Sequence, residues 1–589
     1  MSTRHTAGVT SPERAEQVLR ALQAGGVREV VLAPGSRSAP LALALYAADA
    51  AGELRLHVRL DERSAGFLAV GLSIGSRQPV AVVTTSGTAV GNLLPAVMEA
   101  HHSGRRVVVV SADRPAALRG TGANQTTWQA GLFGRFAPCW DLAVDADMAE
   151  VTRAVALALA TAGPSQLNVQ FEAPLVPVPG QPWWPDRPPS GPPDGAPMPG
   201  RAGEHPRVPH DDPHVRRDEG VHDEAEPQVL PRGPRTVVVA GDDSGSAARI
   251  FAETHGLPLL AEPTSGARAG RHAIRTYRLL LGAAAGLAPQ IERVIVTGHP
   301  TLSRPVTALV SRTDLEVLAV RSPRTGVATD PGRCARVLPR LPTIAPAGPA
   351  ATTSDRDRAW LQQWQTADRI LAGRLDALVE TLPQLHALQV AAEVGAALGP
   401  GQSLVVGSSN PVRDLDLMLT PYTPRQRRLV VGNRGLAGID GTLSTALGVA
   451  LGRPGMPRTL ALVGDLTFLH DAGALWMGAD EPRPELTVVV VNDDGGSIFA
   501  LLEQGEPPYA AAFERVFATP HGADLAALCA ASHTAYRLVG TRGELRAALA
   551  DDTPSGLRVI EARVGRADRR ATAAAFAALA TPGGSAGRA

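Results

Sequence analysis

TLALVGDLTFLHD (459–471) and, a little further on, ELTVVVVNDDGGSIF (485–499) are the two pieces from which the rest of the chain can be read. Each starts as an apolar run and breaks into Asp, Asn and Gly. A short apolar run that stops at such a turn reads as a strand buried on both faces of a parallel sheet. Asp493 lies 28 residues beyond Asp465 (493 − 465), room for one strand–helix–strand crossover. The two strand ends are therefore expected side by side, offering two carboxylates and a flexible glycine backbone to one point. Mg²⁺ suits such a point, because it takes octahedral oxygen ligands and is commonly held by one or two carboxylates plus phosphate oxygens. Taken singly, GD and NDDGG are equally ordinary turns, since Asn, Asp and Gly are the usual turn formers.

The same alternation extends outward in both directions. EVVLAPG (29–35), VAVVTTSG (80–87) and RVVVVSADRP (106–115) read as strands, with helix-like stretches at 65–73 and 92–101 between them. RTVVVAGDD (235–243), RVIVTGHP (293–300) and LEVLAVRSP (315–323) repeat the pattern in the middle of the chain. SLVVGSSN (403–410) and RLVVGNRG (428–435) join the opening pair at its end. Strand–helix alternation of this kind predicts doubly wound α/β domains, with ligands at the carboxyl ends of the strands. Three such domains are expected, over 1–180, 235–345 and 346–589. Residues 181–234, rich in Pro, Gly and charge, are expected to form an irregular or disordered linker.

Composition narrows the chemistry. The 589 residues include 57 basic and 57 acidic ones, so no net field points to nucleic acid or to an anionic membrane. No lysine occurs anywhere in the sequence. Schiff-base catalysis and a Walker A phosphate loop both require one, so both are excluded. Cys139, Cys334 and Cys529 stand far apart without a CxxC pair, which argues against a zinc site or a disulfide framework and for a reducing compartment. No apolar run approaches the length of a membrane span, and the first residues carry no apolar signal core. A cytoplasmic protein without membrane insertion is expected.

The paired GD and NDDGG segments resemble the fingerprint of thiamine-diphosphate-dependent enzymes. By that resemblance Asp465, Asp493 and the carbonyl of Gly495 hold the metal, Mg²⁺ with Mn²⁺ as an alternative. Gly464, Leu466, Ile498 and Phe499 line the cofactor. The family usually has Asn where Asp493 stands, so this site carries extra negative charge. Such enzymes need a carboxyl group against the cofactor's pyrimidine ring, and Glu62 in DERSAGFLAVGL (61–72) matches it as the catalytic residue. Read from the residues alone, Asp61 and Glu62 are both equally good helix-start carboxylates. Gly87, in TTSGTAVGNLLPAVMEA (84–100), falls in the loop that flanks the pyrimidine. Ile439, in GNRGLAGIDGTLSTALGVALG (432–452), matches the aliphatic wedge that bends the cofactor.

PGSRSAPLALAL (34–45), SADRP (111–115), GANQT (122–126) and VGDLTFLHD (463–471), with the stretches just quoted, are together similar to the 2-succinyl-5-enolpyruvyl-6-hydroxy-3-cyclohexene-1-carboxylate (SEPHCHC) synthases of menaquinone biosynthesis. That family decarboxylates 2-oxoglutarate and adds the succinyl carbanion equivalent to isochorismate in a 1,4-addition. Both substrates are dicarboxylates, and arginine forks grip carboxylates bidentately. Carried over position by position, Ser36, Arg37, Arg114, Asn124, Gln125, Ser409, Arg413 and Arg434 become substrate contacts, Ser409 being a cofactor contact as well. Arg304 is a further candidate for the isochorismate side. The resemblance also implies a homodimer or homotetramer, with Glu62 of one subunit facing Asp465 of another. Another thiamine-dependent 2-oxoacid carboligase or decarboxylase remains the enzymatic alternative, and a non-catalytic binding module on the same fold the other. Arg105, Arg106 and Arg271 read as solvated surface rather than as an effector site.

Overall fold

A computed structural model describes residues 9–185, 227–282, 286–346, 351–553 and 556–580. Among these residues the chain forms three parallel α/β sheets. The first runs, from edge to edge, Arg55–Val58, Glu29–Leu32, Val80–Thr84, Val107–Asp113, Ser165–Gln170, Cys139–Leu142. The third runs Leu429–Val431, Ser403–Val406, Thr459–Gly464, Leu486–Asn492, Leu557–Arg563, Ala535–Val539. In chain order the two are wired identically. The first strand lies one in from an edge, the second forms that edge, and the last two exchange places at the far side.

Between them in sequence lies a five-stranded sheet in the order Arg336–Leu338, Glu316–Val320, Arg293–Thr297, Thr236–Ala240, Leu259–Ala261. A separate two-stranded pair, Val229–Leu230 with Thr343–Ile344, sits where the chain enters and leaves this unit. Most of the expected linker, residues 186–226, lies outside the described residues. Its first residues are irregular but anchored: Trp184 is buried in the first domain, with the Arg20 guanidinium stacked 4.0 Å over its ring.

The outer domains meet through helices Glu62–Ser76 and Thr442–Leu451, which follow the corresponding edge strands. Their seam is built from glycine. A Cβ on Gly71 would lie 2.2 Å from the Thr445 carbonyl oxygen, and one on Gly448 would lie 2.3 Å from that of Leu68. Backbones that close leave no room for any side chain. Helix Glu62–Ser76 is accordingly buried on nearly every face from Ser64 to Ile74, rather than amphipathic. Asp471 tightens the same joint, accepting from the Ser444 amide (2.7 Å) and from the hydroxyls of Ser444 and Ser64.

The middle and last domains share one apolar core, from Val237 and Val294 through Trp364 to Leu404 and Leu462. Inside it sits an ion pair. Asp416 accepts from Arg268 at 3.1 Å and from the Tyr277 hydroxyl at 2.9 Å. Arg268 spends its other N–H groups on the carbonyls of Ala261, Leu419 and Asp416. Those bonds offset the burial of Arg268, while Asp416 Oδ2 has no hydrogen bond and is faced only by Arg278 at 3.6 Å.

Candidate active site

Strand Thr459–Gly464 pairs in parallel with Leu486–Asn492, Gly464 opposite Val491, so the two ends expected to be neighbours are neighbours. Asp465 opens a short helix and is 2% exposed. Its Oδ2 accepts from the Gly495 amide at 2.9 Å and its Oδ1 from the Leu466 amide at 2.6 Å. Burial raises the Asp465 carboxyl above its ordinary range, against the pull of those two amides and of His521. Burial likewise pushes Asp493 up to about 7, and the negative charge of Asp465 adds to the effect. Two largely desolvated carboxylates that repel each other at adjacent strand ends are a donor set that a divalent cation relieves.

The turn that follows Asp493 needs glycine. Asp494 has φ 56° and Gly495 φ 142°, and a Cβ on Gly495 would lie 2.2 Å from the Ala518 carbonyl oxygen. No group of three or more His, Cys, Asp or Glu side chains is arranged as a metal site among the described residues. The expected set does not require one: it has two carboxylates and a backbone carbonyl, with phosphate oxygens to complete it. Ile498 and Phe499 follow in a 3₁₀ turn, Ser497–Leu501, where both are half-buried.

His521 was not anticipated from the sequence. Its Nε2 lies 3.3 Å from Asp465 Oδ2, and its Nδ1 accepts from the Ala523 amide at 2.9 Å, which leaves Nε2 as the donor toward the carboxylate. It arrives from a loop 56 residues away in sequence, in a context (ATPHGAD) with no motif to mark it.

In the first domain the two helix-start carboxylates separate into two roles. Asp61 is the N-cap and accepts from the Arg63 amide at 2.8 Å. Glu62 is free of capping; its Oε2 accepts from the Asn92 side-chain amide at 3.1 Å. Asn92 closes helix Thr88–Asn92, whose N-cap is Gly87 at φ 81°. Glu62, Asn92 and Gly87 thus converge on one edge.

The same edge gathers arginines. Arg114 donates to the Ser86 hydroxyl (2.7 Å) and to the Gln125 carbonyl (2.6 Å), and the Gln125 amide donates back to the Ser86 carbonyl (2.9 Å). Arg37 donates one N–H to the Phe171 carbonyl at 2.9 Å, while its buried Nε has no partner. Burial, with Arg114 adding like charge, lowers the Arg37 guanidinium. Ser36 and Asn124 are exposed beside them.

The last domain holds a second group. Ser409 carries φ 71°, a left-handed conformation that costs a non-glycine residue about 1–3 kcal/mol and tends to accompany function. Arg413 donates to the Ser409 carbonyl at 2.6 Å, and burial together with Arg434 and Arg278 lowers it. Arg434 is 3% exposed and donates to the Thr301 hydroxyl at 2.8 Å. Ile439 lies half-buried in the loop that follows. Arg304 is placed differently from the rest. It lies on the surface in a two-bonded ion pair with Glu503, at 2.8 and 3.0 Å. A substrate carboxylate would have to displace that partner.

Near Arg434 stands Glu262, 1% exposed, accepting from the Leu302 amide at 2.9 Å. Burial raises its carboxyl to about 8, against the Leu302 amide and Arg434, with Asp416 and Asp242 adding like charge. A carboxyl whose folded value exceeds its unfolded one stabilises fully below the unfolded value, and that contribution fades as pH rises through the folded value. Between pH 6 and 9 the wild type is therefore expected to lose ~2–3 kcal/mol through this group. Glu262→Gln, which keeps the acceptor, should lose that much less; paired thermal melts at the two pH values would check it, and equal losses would refute it.

Comparison with known proteins bears on this geometry. Residues 13–132 match the family described as thiamine pyrophosphate enzyme, N-terminal TPP binding domain. A 2-succinyl-5-enolpyruvyl-6-hydroxy-3-cyclohexene-1-carboxylate synthase of a Nocardioides species is 51% identical over 569 residues, 96% of this chain and 98% of the relative. The chain belongs to the SEPHCHC synthase family. Proteins of the same name from Kineococcus radiotolerans (47% identical, 91% of this chain, 92% of the relative) and Paenarthrobacter aurescens (45%, 96% and 95%) agree. Among solved structures, a benzoylformate decarboxylase from Polynucleobacter necessarius covers 95% of this chain and 99% of its own, with TM-score 0.60 at 17% identity. At that identity the likeness concerns the fold alone. This chain thus shares its fold with a decarboxylase of quite different sequence.

Proposed function

We propose that this SEPHCHC synthase family member decarboxylates 2-oxoglutarate and joins the remaining four carbons to isochorismate, releasing CO₂, in menaquinone biosynthesis. The observation that carries the reading is near-full-length identity of about half to synthases of that name, on a chain whose strand ends present the required groups. Thiamine diphosphate, when bound, supplies the electron sink that loss of CO₂ from a 2-oxo acid needs. Asp465, Asp493 and the Gly495 carbonyl would hold its divalent metal, Mg²⁺ or Mn²⁺, and Gly464, Leu466, Ile498 and Phe499 would lie along it. Glu62, bonded to Asn92, would hold a proton against the pyrimidine ring, beside Gly87. Ile439 would press the cofactor into its bent shape.

Arginines account for substrate choice. Arg37 and Arg114, with Ser36, Asn124 and Gln125, form one cationic rim; Arg413 and Arg434, with Ser409, form another. Two dicarboxylates need that many fixed cations, whereas a carboligase for small, less anionic partners does not. Large apolar side chains stand exposed on catalytic-edge loops: Leu60 beside the Glu62 turn, Trp128 and Leu132 beyond Gln125, and Leu436 next to Arg434. Their exposure supports a homodimer, or a homotetramer, in which a second copy covers them. No described helix is long and apolar enough to cross a membrane, which accords with a cytoplasmic enzyme.

The test is an assay with both substrates, Mg²⁺ and thiamine diphosphate, following loss of isochorismate absorbance. Consumption of 2-oxoglutarate only when isochorismate is present supports the proposal. Robust condensation of pyruvate in its place would overturn it.

A further inference from the structure

Helix Leu94–Ser103 of the first domain carries a buried carboxylate that takes no part in the scheme above. Glu99 reaches 336 residues along the chain to the loop after strand Leu429–Val431. Its Oε1 accepts from the Gly435 amide at 2.8 Å and its Oε2 from the Leu436 amide at 2.8 Å. The fit is close: a Cβ on Gly435 would lie 2.9 Å from the Glu99 carbonyl oxygen and 3.0 Å from the His102 Cβ. Just beyond, Ala437 holds φ 60°, a conformation a free loop of this sequence would not favour. On the near side Arg434 is tied to Thr301 of the middle domain. Residues 434–436 are thus gripped from both other domains.

We propose that Glu99 is a positioning residue, whose two hydrogen bonds hold the 433–439 loop so that Arg434 and Ile439 keep their places toward substrate and cofactor. This rests on the roles given to Arg434 and Ile439 above. Two adjacent backbone amides aimed at one carboxylate are a strong and directional tie, because charge-assisted bonds to a buried acceptor exceed neutral ones about twofold. Burial raises the Glu99 carboxyl to about 7, against the pull of the Leu436 and Gly435 amides. Its burial is tolerable only because those amides are there. Arg434 itself lies in the backbone unit immediately before Gly435, so slackening the tie displaces the guanidinium directly.

The test uses the full-length enzyme loaded with Mg²⁺ and thiamine diphosphate, as wild type, Glu99→Gln and Glu99→Ala. Amide hydrogen exchange over residues 432–442 reads the tie itself, and steady-state kinetics read its consequence. Exchange in that peptide should accelerate in Glu99→Ala and less in Glu99→Gln, which retains one acceptor, with residues 62–76 unchanged. KM for 2-oxoglutarate should rise roughly 10- to 100-fold in Glu99→Ala, as expected for a binding group misplaced by about an ångström, with kcat affected less and Glu99→Gln recovering part. Unchanged exchange and KM in both variants would overturn the proposal. So would a loss spread over all peptides that Glu99→Gln does not relieve, since that is general destabilisation. If the wild type shows no turnover of the two substrates, the functional reading fails, while exchange at 432–442 still decides whether the tie exists.

Discussion

Glu62→Gln should cost at least about 100-fold in turnover while leaving Mg²⁺-dependent binding of thiamine diphosphate nearly intact. The exchange is isosteric and retains an acceptor for the Asn92 amide, so the 3.1 Å contact and the helix start survive. Asp61, not Glu62, caps the helix, and the fold therefore loses nothing. What disappears is a group able to hold and return a proton. Stopped turnover with intact calorimetric binding is the outcome that matches this role. Full activity in Glu62→Gln would remove Glu62 from the chemistry and favour a binding module on the same fold.

Asp465→Ala should act one step earlier, by abolishing cofactor binding itself. Its carboxylate is the more buried of the pair and accepts from the Gly495 amide at 2.9 Å. Losing an outer-shell partner typically costs a metal site about 10- to 100-fold in affinity, and losing a direct ligand should exceed that. Calorimetric titration of thiamine diphosphate with and without Mg²⁺ would measure it. In wild type the metal should strengthen binding greatly; in Asp465→Ala the two titrations should coincide. A metal dependence unchanged by the substitution would place the cation elsewhere.

Much of this was legible because the groups that do chemistry stand at strand ends, where Asp, Asn, Gly and Arg interrupt apolar runs. The neighbouring placement of the strand ends that carry Asp465 and Asp493 followed from their spacing, which leaves room for one crossover. Ser165–Gln170 was not legible as a strand. SQLNVQ is buried throughout, yet half its letters are amides, and they are satisfied by one another's elements: Asn168 by Ser111, Asp113, Asp141 and Gln129, and Gln166 by Ser111 and the Gln129 carbonyl. A polar network replaces the apolar periodicity that strand reading depends on. Ala535–Val539 was missed for the opposite reason: it is an edge strand, mostly open to solvent, with no buried face to impose a pattern. His521 and Glu99 were hidden because their partners lie 56 and 336 residues away. A resemblance in short motifs does not extend to residues outside them.

The identical wiring of the two outer sheets makes the glycine seam a meeting of counterparts. The helix after one edge strand packs on the helix after the matching edge strand, Gly71 against Gly448. The starts of those helices differ in kind: one opens on the acid Glu62, the other is preceded by the hydrocarbon Ile439. The two outer domains are in effect copies of a single scaffold, joined helix to helix and differing in the groups carried at their strand ends. A side chain on either seam glycine would have to part the two helices, so the placing of both turns depends on that seam.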